Sequence, residues 1–562
     1  MKPIPAVLDH PEFADIDRHF ARFIGGFGGD ELVMLAAASL SSGIRSGHIC
    51  LDLAVPSPEF AGTWPSLKQW RAALKKSRAV VEGGNIKPTD EEVRPLVLDK
   101  AGRLYLRRYW EYEKALAAAI LSRCETSLPI SSQSGDLQEF AIETALSRRF
   151  MVISGGPGTG KTTAILKILE RMTSQHGGEN LRIALAAPTG KAAARLEESL
   201  RADAAHPING RLPKTASTLH RLLGWRSDSV SFRHNAKNPL AVDVMVVDEA
   251  SMVPLTMMSK LFAALPVHAS VILLGDQYQL ASVEPGYVLS DIADAASSRD
   301  SPLHGSLVAF QKNYRFGDKS SIFALSNAAR EGDAEGLFRI LNAGDTPDLS
   351  MSKTPSPAGL VEKLKPRVVA GFLAYLKVRN PWEALKKFQE FRVLCALRKG
   401  PYGVENLNRK IEEILRAEGL IGAGSRYYAG LPVLVMRNDY ELGLFNGDVG
   451  ILLPDSETGT LMAWFADQAG GVRKFTPSRL PEYEPAYAMT VHKSQGSEYD
   501  KVLLILPDRE SPVVTRELVY TGLTRARDKL EVWFQETALR DAIAHETKRS
   551  SGLRDRLSRK EL

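Results

Sequence analysis

Short apolar runs alternate with longer amphipathic segments through the middle of the chain. Four such runs fall between residues 149 and 277, namely RFMVISG, LRIALAAPT, VDVMVVDEA and SVILLGDQ, and each is rich in aliphatic residues. A loop and a segment with helical spacing of apolar residues follow each run, as in βαβ units. The pattern predicts a parallel sheet that is buried between helices on both faces.

The same alternation returns towards the C-terminal end, in the runs FRVLCALRKG, KVLLILPD and KLEVWF. Within this second set, residues from about 426 to 480 follow a different pattern, in which short strands meet turn signals such as Asn446-Gly447. That dipeptide favours two-residue hairpin turns. The sequence therefore predicts a second α/β domain that carries a small antiparallel β insert.

The N-terminal part has a helical pattern. Examples are ELVMLAAASLSSGI from Glu31 and RLYLRRYWEYEKALAAAI from Arg103, where apolar residues recur at helical spacing. A stretch rich in Ser and Pro, from Thr126 to Asp136, is typical of a linker. We therefore divide the chain into a helical domain at residues 1–125, a first α/β domain at 126–345 and a second at 346–562.

The two ends of the chain carry no catalytic motif. We interpret residues 1–125 as a docking domain for a partner protein. Its aromatic residues Tyr105, Tyr109, Trp110 and Tyr112 could support docking, or could simply form the core of the domain, because three of them fit one helical stripe. The last residues, KRSSGLRDRLSRKEL, are polar and basic, and we expect them to be solvated.

Composition and charge narrow the class of protein. The chain is 44% hydrophobic and 25% charged, which is average for globular proteins and argues against fibrous or wholly disordered chains. A net charge of +6 permits a nucleic-acid partner without requiring one. The three cysteines are too few and scattered for a disulfide framework or a zinc site. Since we find neither a secretion signal nor a bilayer-spanning apolar run, we expect a cytoplasmic protein without membrane contacts.

A phosphate-binding motif follows the first apolar run. The segment SGGPGTGKTT matches G-x-x-x-x-G-K-[ST] and lies between a strand and a helical segment, as this motif requires. Glycines let backbone N–H groups surround the phosphates, a lysine reaches the β- and γ-phosphates, and a threonine hydroxyl holds Mg²⁺. We expect ATP to bind at Gly155, Gly156, Pro157, Gly158, Thr159, Gly160, Lys161, Thr162 and Thr163, with Thr162 as a magnesium ligand.

Two adjacent carboxylates end a later strand of the same predicted sheet. Asp248 and Glu249 follow VDVMVV, and the carboxyl ends of parallel strands meet at one edge of a sheet. A carboxylate that supports Mg²⁺ and one that activates water are both needed there. We assign Asp248 to the metal and Glu249 to the general base.

With these motifs placed, the chain from Gln138 to Arg527 resembles superfamily 1 helicases. The matching segments are APTGKAAARL, STLHRLLG, LLGDQYQL, NYRF, MTVHKSQGSEYD and VYTGLTRAR, in the order that the superfamily has. The resemblance implies two RecA-like parallel-sheet motor domains with a helical N-terminal domain and a small β-barrel insert. It also implies that Gln138 reads adenine, Gln279 senses the γ-phosphate, and Arg315 and Arg525 contact phosphate.

The same resemblance suggests residues that contact DNA. By family position these are Thr189, Lys191, His220, His492 and Lys493. A translocase must tolerate any sequence, so we expect contacts to backbone phosphates and stacking on bases. For both histidines, a hydrogen-bonding role in their own loops is an equal alternative.

Within the superfamily the chain resembles the RecD family. RLYLRRYWEYEKAL, VLCALRKGPYGVENLNRKIE and RNDYELGLFNGDVG carry this likeness outside the shared motifs. It implies a 5′-to-3′ DNA helicase of a RecBCD-type exodeoxyribonuclease V, which joins RecB-like and RecC-like subunits in double-strand break repair and recombination. Single-stranded DNA and duplex ends would be its substrates. We recognise no nuclease centre, so nuclease activity is expected in a partner chain.

Three alternatives remain open from the sequence. One is a stand-alone RecD-like helicase, although the helix–hairpin–helix elements usual in that group are not recognised here. A second is a structural subunit whose motor has decayed, against which intact Lys161, Glu249, Arg315 and Arg525 argue. A third is a phosphate-loop NTPase that acts on protein or RNA, which the order of the motifs disfavours.

Overall fold

The computed structural model describes residues 8–57, 60, 62–85, 94–125, 136–175, 181–202, 213, 215–226, 229, 231–315, 320–422, 426–439, 441–467 and 471–559. The predicted linker from Thr126 to Asp136 falls, except for its last residue, outside these ranges. Across the described ranges no helix is both long enough and apolar enough to cross a bilayer.

The N-terminal region combines helices with a small sheet. Its helices are α1 (Asp15–Gly25), α2 (Glu31–Arg45), α3 (Leu67–Lys76) and α4 (Arg107–Cys124). Its strands are β1 (Cys50–Asp52), β2 (Val80–Glu82), β3 (Leu96–Leu98) and β4 (Arg103–Leu106), in the order β1-β4-β3-β2. The helices were predicted, but the sheet was not, because strands of three or four residues leave almost no periodic signal.

The first α/β unit contains the predicted parallel sheet. Its strands are β5 (Phe150–Gly155), β6 (Ile183–Ala187), β7 (Ser217–Thr218), β8 (Val244–Val247), β9 (Ser270–Gly275) and β10 (Leu307–Phe310), in the order β10-β5-β9-β8-β6-β7. Every pairing in this sheet is parallel. Its helices are α5 (Leu137–Ser147), α6 (Lys161–Gln175), α7 (Gly190–Ala202), α8 (Leu219–Leu222), α9 (Leu255–Ala264) and α10 (Val288–Ser297). Since β5, β9 and β8 are neighbours, the loops after them lie side by side.

A second parallel sheet follows, as predicted. Its strands are β11 (Leu349–Lys353), β12 (Phe391–Cys395), β18 (Ala488–Thr490), β19 (Tyr499–Ile505) and β20 (Ala526–Phe534), in the order β11-β20-β19-β12-β18. Its helices are α11 (Ser321–Glu331), α12 (Ala334–Asn342), α13 (Leu360–Leu376), α14 (Pro381–Phe388), α15 (Val404–Ala417), α16 (Arg516–Leu523) and α17 (Glu536–Ala544). Helices α11 and α12 precede residue 345, yet Ile322 and Phe338 pack in the core of this sheet.

The insert in the second unit is an antiparallel sheet. Its strands are β13 (Pro432–Val435), β14 (Val449–Pro454), β15 (Leu461–Ala466), β16 (Val472–Phe475) and β17 (Tyr483–Pro485), in the order β16-β15-β14-β13-β17. Within the part of the chain that the structure describes, the end strands β16 and β17 do not pair with each other. The antiparallel insert is therefore present, but an open sheet replaces the barrel that the resemblance implied.

The aromatic residues near position 105 belong to a core that two units share. Tyr105, Tyr109 and Trp110 are at most 5% exposed, and α4 packs against Phe262 of α9 in the first α/β unit. Arg123 of α4 donates to the carbonyl oxygens of Pro266 at 2.8 Å and Ala269 at 3.1 Å. Of the two interpretations of these aromatics, the buried core is the one that the structure supports.

The described part of the C-terminal segment, up to residue 559, docks on the rest of the protein through two buried leucines, so the expectation that the whole segment is solvated was wrong. The side chains of Lys548, Arg554 and Arg559 stay exposed. Helix α18 (Leu553–Leu557) places both of its leucines in the core that includes α4 and α10. The carboxylate of Glu113, which is fully buried, accepts hydrogen bonds from Ser551 Oγ at 2.7 Å and Gly552 N at 2.9 Å. The polar residues of this segment thus find partners within the protein, while two leucines provide its apolar face.

Replacing Leu557 with alanine should destabilise the fold by about 2–5 kcal/mol, because it removes a buried side chain and leaves a cavity. Arg559→Ala is a matched control in the same segment, since Arg559 forms only a half-exposed ion pair with Glu125, which is worth about 0–1 kcal/mol. Chemical denaturation followed by circular dichroism measures both changes. Equal midpoints for Leu557→Ala and the wild type would contradict the docking of this segment.

Candidate nucleotide site and DNA groove

A cleft of about 510 Å³ lies where the two parallel sheets face each other. The predicted phosphate loop forms its floor, and side chains from the ends of β8 and β9 form one wall. The second α/β unit supplies the opposite wall. The lining includes Gln138, residues 157–163, Arg195, Asp248, Glu249, Gln279, Tyr314, Arg315, Glu498 and Arg525.

The phosphate loop is held in a shape that only glycine permits at two positions. Gly158 and Gly160 have φ of +78° and +83°, where side chains are disfavoured. A Cβ atom at Gly158 would also lie 2.6 Å from Cβ of Arg315. The Lys161 ammonium donates to the carbonyl oxygens of Gly155 at 2.5 Å and Gly156 at 2.9 Å. The loop thus presents a lysine and the first turn of α6 to one point in the cleft.

An amide side chain and an aromatic ring lie beside the phosphate loop at one end of the cleft. Gln138, in the first turn of α5, accepts a hydrogen bond from Lys167 Nζ at 2.8 Å and lines the cleft. Tyr314 is 60% exposed in the same lining, and its N–H donates to the carbonyl of Gly158 at 2.8 Å. Tyr314 was not predicted from the sequence, although it stands beside Arg315 in the segment NYRF. An exposed ring and an amide at one end of the cleft suit a flat, hydrogen-bonding base.

The paired carboxylates lie at the end of β8, next to the loop. Glu249 has φ of 50° and ψ of 41°, a left-handed conformation that is uncommon outside glycine and concentrated at functional sites. Its N–H donates to Asp248 Oδ1 at 2.8 Å. Burial raises the pKa of both carboxyl groups, and the charge of Asp248 raises the pKa of Glu249 further. A carboxylate of raised pKa is suited to accept a proton near neutral pH.

The residues present fit a magnesium ion. The Thr162 hydroxyl and the Asp248 carboxylate both line the cleft beside Lys161, and Mg²⁺ prefers oxygen ligands. The described residues contain no cluster of three or more His, Cys, Asp or Glu side chains that could hold a metal by themselves. Mg²⁺ in nucleotide sites takes one or two protein ligands and completes its shell with phosphates and water.

Gln279 and Arg525 join the two α/β units at the cleft. Arg525 is 1% exposed, and its Nη2 donates to Gln279 Oε1 at 3.1 Å. Nearby, Tyr520 donates to Asp276 Oδ2 at 2.8 Å across the same boundary. Gln279 of the first unit is therefore bonded directly to Arg525 of the second unit, so that a shift at one reaches the other.

The DNA candidates divide into two groups. Thr189 and Lys191 lie at the start of α7, where a Cβ atom at Gly496 would be 3.8 Å from Thr189 Oγ1. Lys493 donates to Asn446 Oδ1 of the insert at 2.9 Å. These residues bring both α/β units and the insert to one surface, which is the placement that a groove requires.

The two histidines differ from those lysines in that their ordinary pKa lies near neutral pH, although burial lowers the pKa of all four side chains. His220 packs against Phe232 with ring centroids 5.8 Å apart, and burial lowers its pKa. Burial also lowers the pKa of His492. Both rings are therefore neutral near pH 7 and add no charge for a phosphate. Contact with DNA stays a prediction for all five residues.

Comparison with known proteins places the chain in a family. Residues 10–105 match the family described as "RecBCD enzyme subunit RecD, N-terminal domain". The chain is 38% identical over 555 residues to the RecBCD enzyme subunit RecD of Mycolicibacterium smegmatis, an alignment that covers 94% of each chain. The chain belongs to the RecD family. Residues 138–285 also match an AAA domain, and residues 485–532 match a UvrD-like helicase C-terminal domain.

This RecD family chain is also similar to two other proteins. It is 33% identical over 443 residues to the ATP-dependent RecD2 DNA helicase of Deinococcus radiodurans, covering 76% of this chain and 54% of that one. Among solved structures, Pif1 helicase from Bacteroides in complex with ADP-AlF3 and ssDNA is similar with a TM-score of 0.43 and 17% identity, over 74% of this chain and 95% of that chain.

Proposed function

We propose that this RecD family chain is an ATP-dependent 5′-to-3′ DNA helicase subunit of a RecBCD-type complex, acting in double-strand break repair and recombination. The observation that carries the proposal is the cleft between two parallel sheets, in which Lys161, Glu249 and Arg525 line one cavity. A stimulated ATPase assay with single-stranded DNA tests it. Unwinding of duplexes with a 5′ tail and not of those with a 3′ tail tests the polarity.

In the proposed chemistry, each group that lines the cleft has its own task. Lys161 and the loop N–H groups bind the β- and γ-phosphates, and Gln138 and Tyr314 hold adenine. Glu249 accepts the proton of the attacking water. When bound, Mg²⁺ on Thr162 and Asp248 neutralises charge that develops on the phosphates. Arg315 and Arg525 stabilise the same charge from the other side.

Motion follows from the same contacts. ATP would draw the two sheets together because Gln279 and Arg525, which are hydrogen-bonded, both face the γ-phosphate. Hydrolysis removes the γ-phosphate, whose contacts stabilise the closed arrangement, so the sheets separate. DNA that lies across Thr189 and Lys191 on one unit and Lys493 on the other would then advance along the groove.

We propose RecB-like and RecC-like subunits as partners. The match of residues 10–105 to the RecD N-terminal family supports a subunit over a stand-alone helicase. The aligned share of each relative supports the same choice, because the alignments span 94% of the Mycolicibacterium subunit but 54% of the Deinococcus RecD2 helicase. Co-purification with RecB-like and RecC-like chains is the test, and stable, fully active behaviour without them would favour the stand-alone alternative. A DNA substrate, and three buried cysteines that are too scattered along the chain for a disulfide framework, support a cytoplasmic location.

DNA affinity should fall steeply as salt rises and depend little on base sequence, because phosphate contacts release counterions whatever the bases are. Fluorescence anisotropy with single-stranded oligonucleotides of mixed and homopolymeric sequence measures this. Lys493→Ala should lower affinity for every sequence alike. A strong preference for one sequence at fixed salt would contradict the translocase proposal.

A further inference from the structure

The carboxylate of Glu498 forms ion pairs with three arginine side chains at the nucleotide cleft. Its side chain is 4% exposed and pairs with Arg315 Nη2 at 2.8 Å, with Arg527 Nε at 3.3 Å and with Arg195 Nη2. Arg195 comes from α7 of the first α/β unit, whereas Glu498 precedes β19 of the second. The pair between them therefore crosses the boundary where the nucleotide cleft lies.

The electrostatics of this cluster keep its carboxylate charged. Burial by itself would raise the pKa of Glu498, but the charges of Arg195, Arg315 and Arg525 together outweigh it and hold this pKa at about 2. Arg195 is also attracted by Glu249 and Asp248, the two acids at the end of β8. It thus stands among the groups that would surround the metal and the γ-phosphate.

One guanidinium in the cluster has an unused donor. Arg315 Nη1 is buried and has no hydrogen-bond acceptor among the described residues, although its Nη2 is bonded to Glu498. Buried donors without acceptors are rare in folded proteins, and each calls for an explanation such as a ligand. A phosphate oxygen in the cleft would supply the missing acceptor.

We propose that Arg195 is a third nucleotide-contacting arginine, and that Glu498 is a positioning residue that holds Arg195 and Arg315 at the place of the γ-phosphate. The inference rests on the function proposed above and adds two residues to its machinery. A triphosphate would accept from guanidinium donors that Glu498 does not use, such as Arg315 Nη1, while the carboxylate keeps the two side chains in place. ADP lacks the γ-phosphate and would not offer that acceptor.

Arg527 distinguishes this proposal from a purely structural ion cluster. It bonds the same carboxylate, but its side chain is 45% exposed and it does not line the cleft. If Glu498 only ties the two units together, removal of Arg195 or Arg527 should have similar consequences. If Arg195 contacts nucleotide, only its removal should change how the protein distinguishes ATP from ADP.

The experiment compares affinities of the full-length protein for fluorescent ADP and for a slowly hydrolysed fluorescent ATP analogue, each with Mg²⁺. Arg195→Ala should weaken binding of the ATP analogue about tenfold or more, as expected for loss of a charged hydrogen bond, and leave ADP affinity within about threefold. Glu498→Gln, which keeps the shape and removes the charge, should shift the ratio in the same direction. Arg195→Lys should restore part of it, and Arg527→Ala should leave it at the wild-type value.

Each outcome decides between the interpretations. An unchanged ratio in a folded Arg195→Ala protein overturns the inference, and so does an equal loss in Arg527→Ala. Should Arg195→Ala fail to fold, Arg195→Lys and Glu498→Gln carry the same test, and unchanged ratios in both overturn it. Failure of the wild type itself to bind the ATP analogue would instead refute the proposed function.

Discussion

Replacing Lys161 with alanine should abolish ATP hydrolysis and translocation while the fold stays intact. Among the described residues, the hydrogen bonds of the Lys161 ammonium go to two carbonyl oxygens of its own loop, so its loss removes no hydrogen bond between that loop and the other described elements. In the proposed site the same ammonium faces the β- and γ-phosphates, and removing such a group from a transition state costs about 10²–10³-fold or more in rate. DNA-stimulated phosphate release measures the effect.

A control for this variant lies on the same helix. Arg171 is a half-exposed cation whose partner is Glu139 at 3.6 Å, and Arg171→Ala should hydrolyse ATP at the wild-type rate. Circular dichroism and thermal melting establish that both proteins are folded. Near-normal turnover in folded Lys161→Ala would refute the assignment of the phosphate loop.

Glu249→Gln should still bind ATP but turn it over about 10²–10⁴-fold more slowly, because an amide cannot accept the proton of the attacking water. The substitution keeps the size of the side chain at a backbone position with positive φ. Measuring nucleotide affinity and kcat separately checks both halves of this expectation. Glu284→Gln, an exposed carboxylate of the same unit, should leave kcat unchanged.

The dependence of kcat on pH provides a second test of the role of Glu249. Burial and the charge of Asp248 raise the pKa of Glu249, so the proton-accepting form should be lost at a higher pH than an exposed glutamate would require. The wild-type kcat should therefore fall earlier on the acid side than surface carboxylates predict. Loss of nucleotide binding in Glu249→Gln would instead point to a structural role for this carboxylate.

Much of the nucleotide site was predictable because its residues are close together in sequence. Nine consecutive residues, 155–163, form the phosphate loop, and Asp248 and Glu249 directly follow a buried strand. The chemistry of such segments depends on local backbone shape and on the strand before them. The central strands of the parallel sheets were predictable for the same reason, since each of them carries its own apolar run.

Other groups that line the cleft were not visible in this way. Glu498 and Arg195 are separated by 303 positions. Both lie in segments that resemble helicase motifs, MTVHKSQGSEYD and APTGKAAARL, but nothing in either segment shows that the two side chains meet. Tyr314 could have been found, because it is a large aromatic residue next to Arg315. The roles of His220 and His492 depended on burial, which no local pattern of polar residues reports.

The sequence by itself determined the central strands of the two parallel sheets, the phosphate loop and the acids that follow β8, because each arises from contiguous residues whose conformation and chemistry are local. Only the tertiary structure decided which distant charges meet. It placed Glu498 against Arg195 and Arg315, and it buried Leu553 and Leu557 of a segment that had been expected to be solvated. The physical reason is that burial and ion pairing each require two segments in contact. The sequence around one residue does not say which distant segment will lie against it.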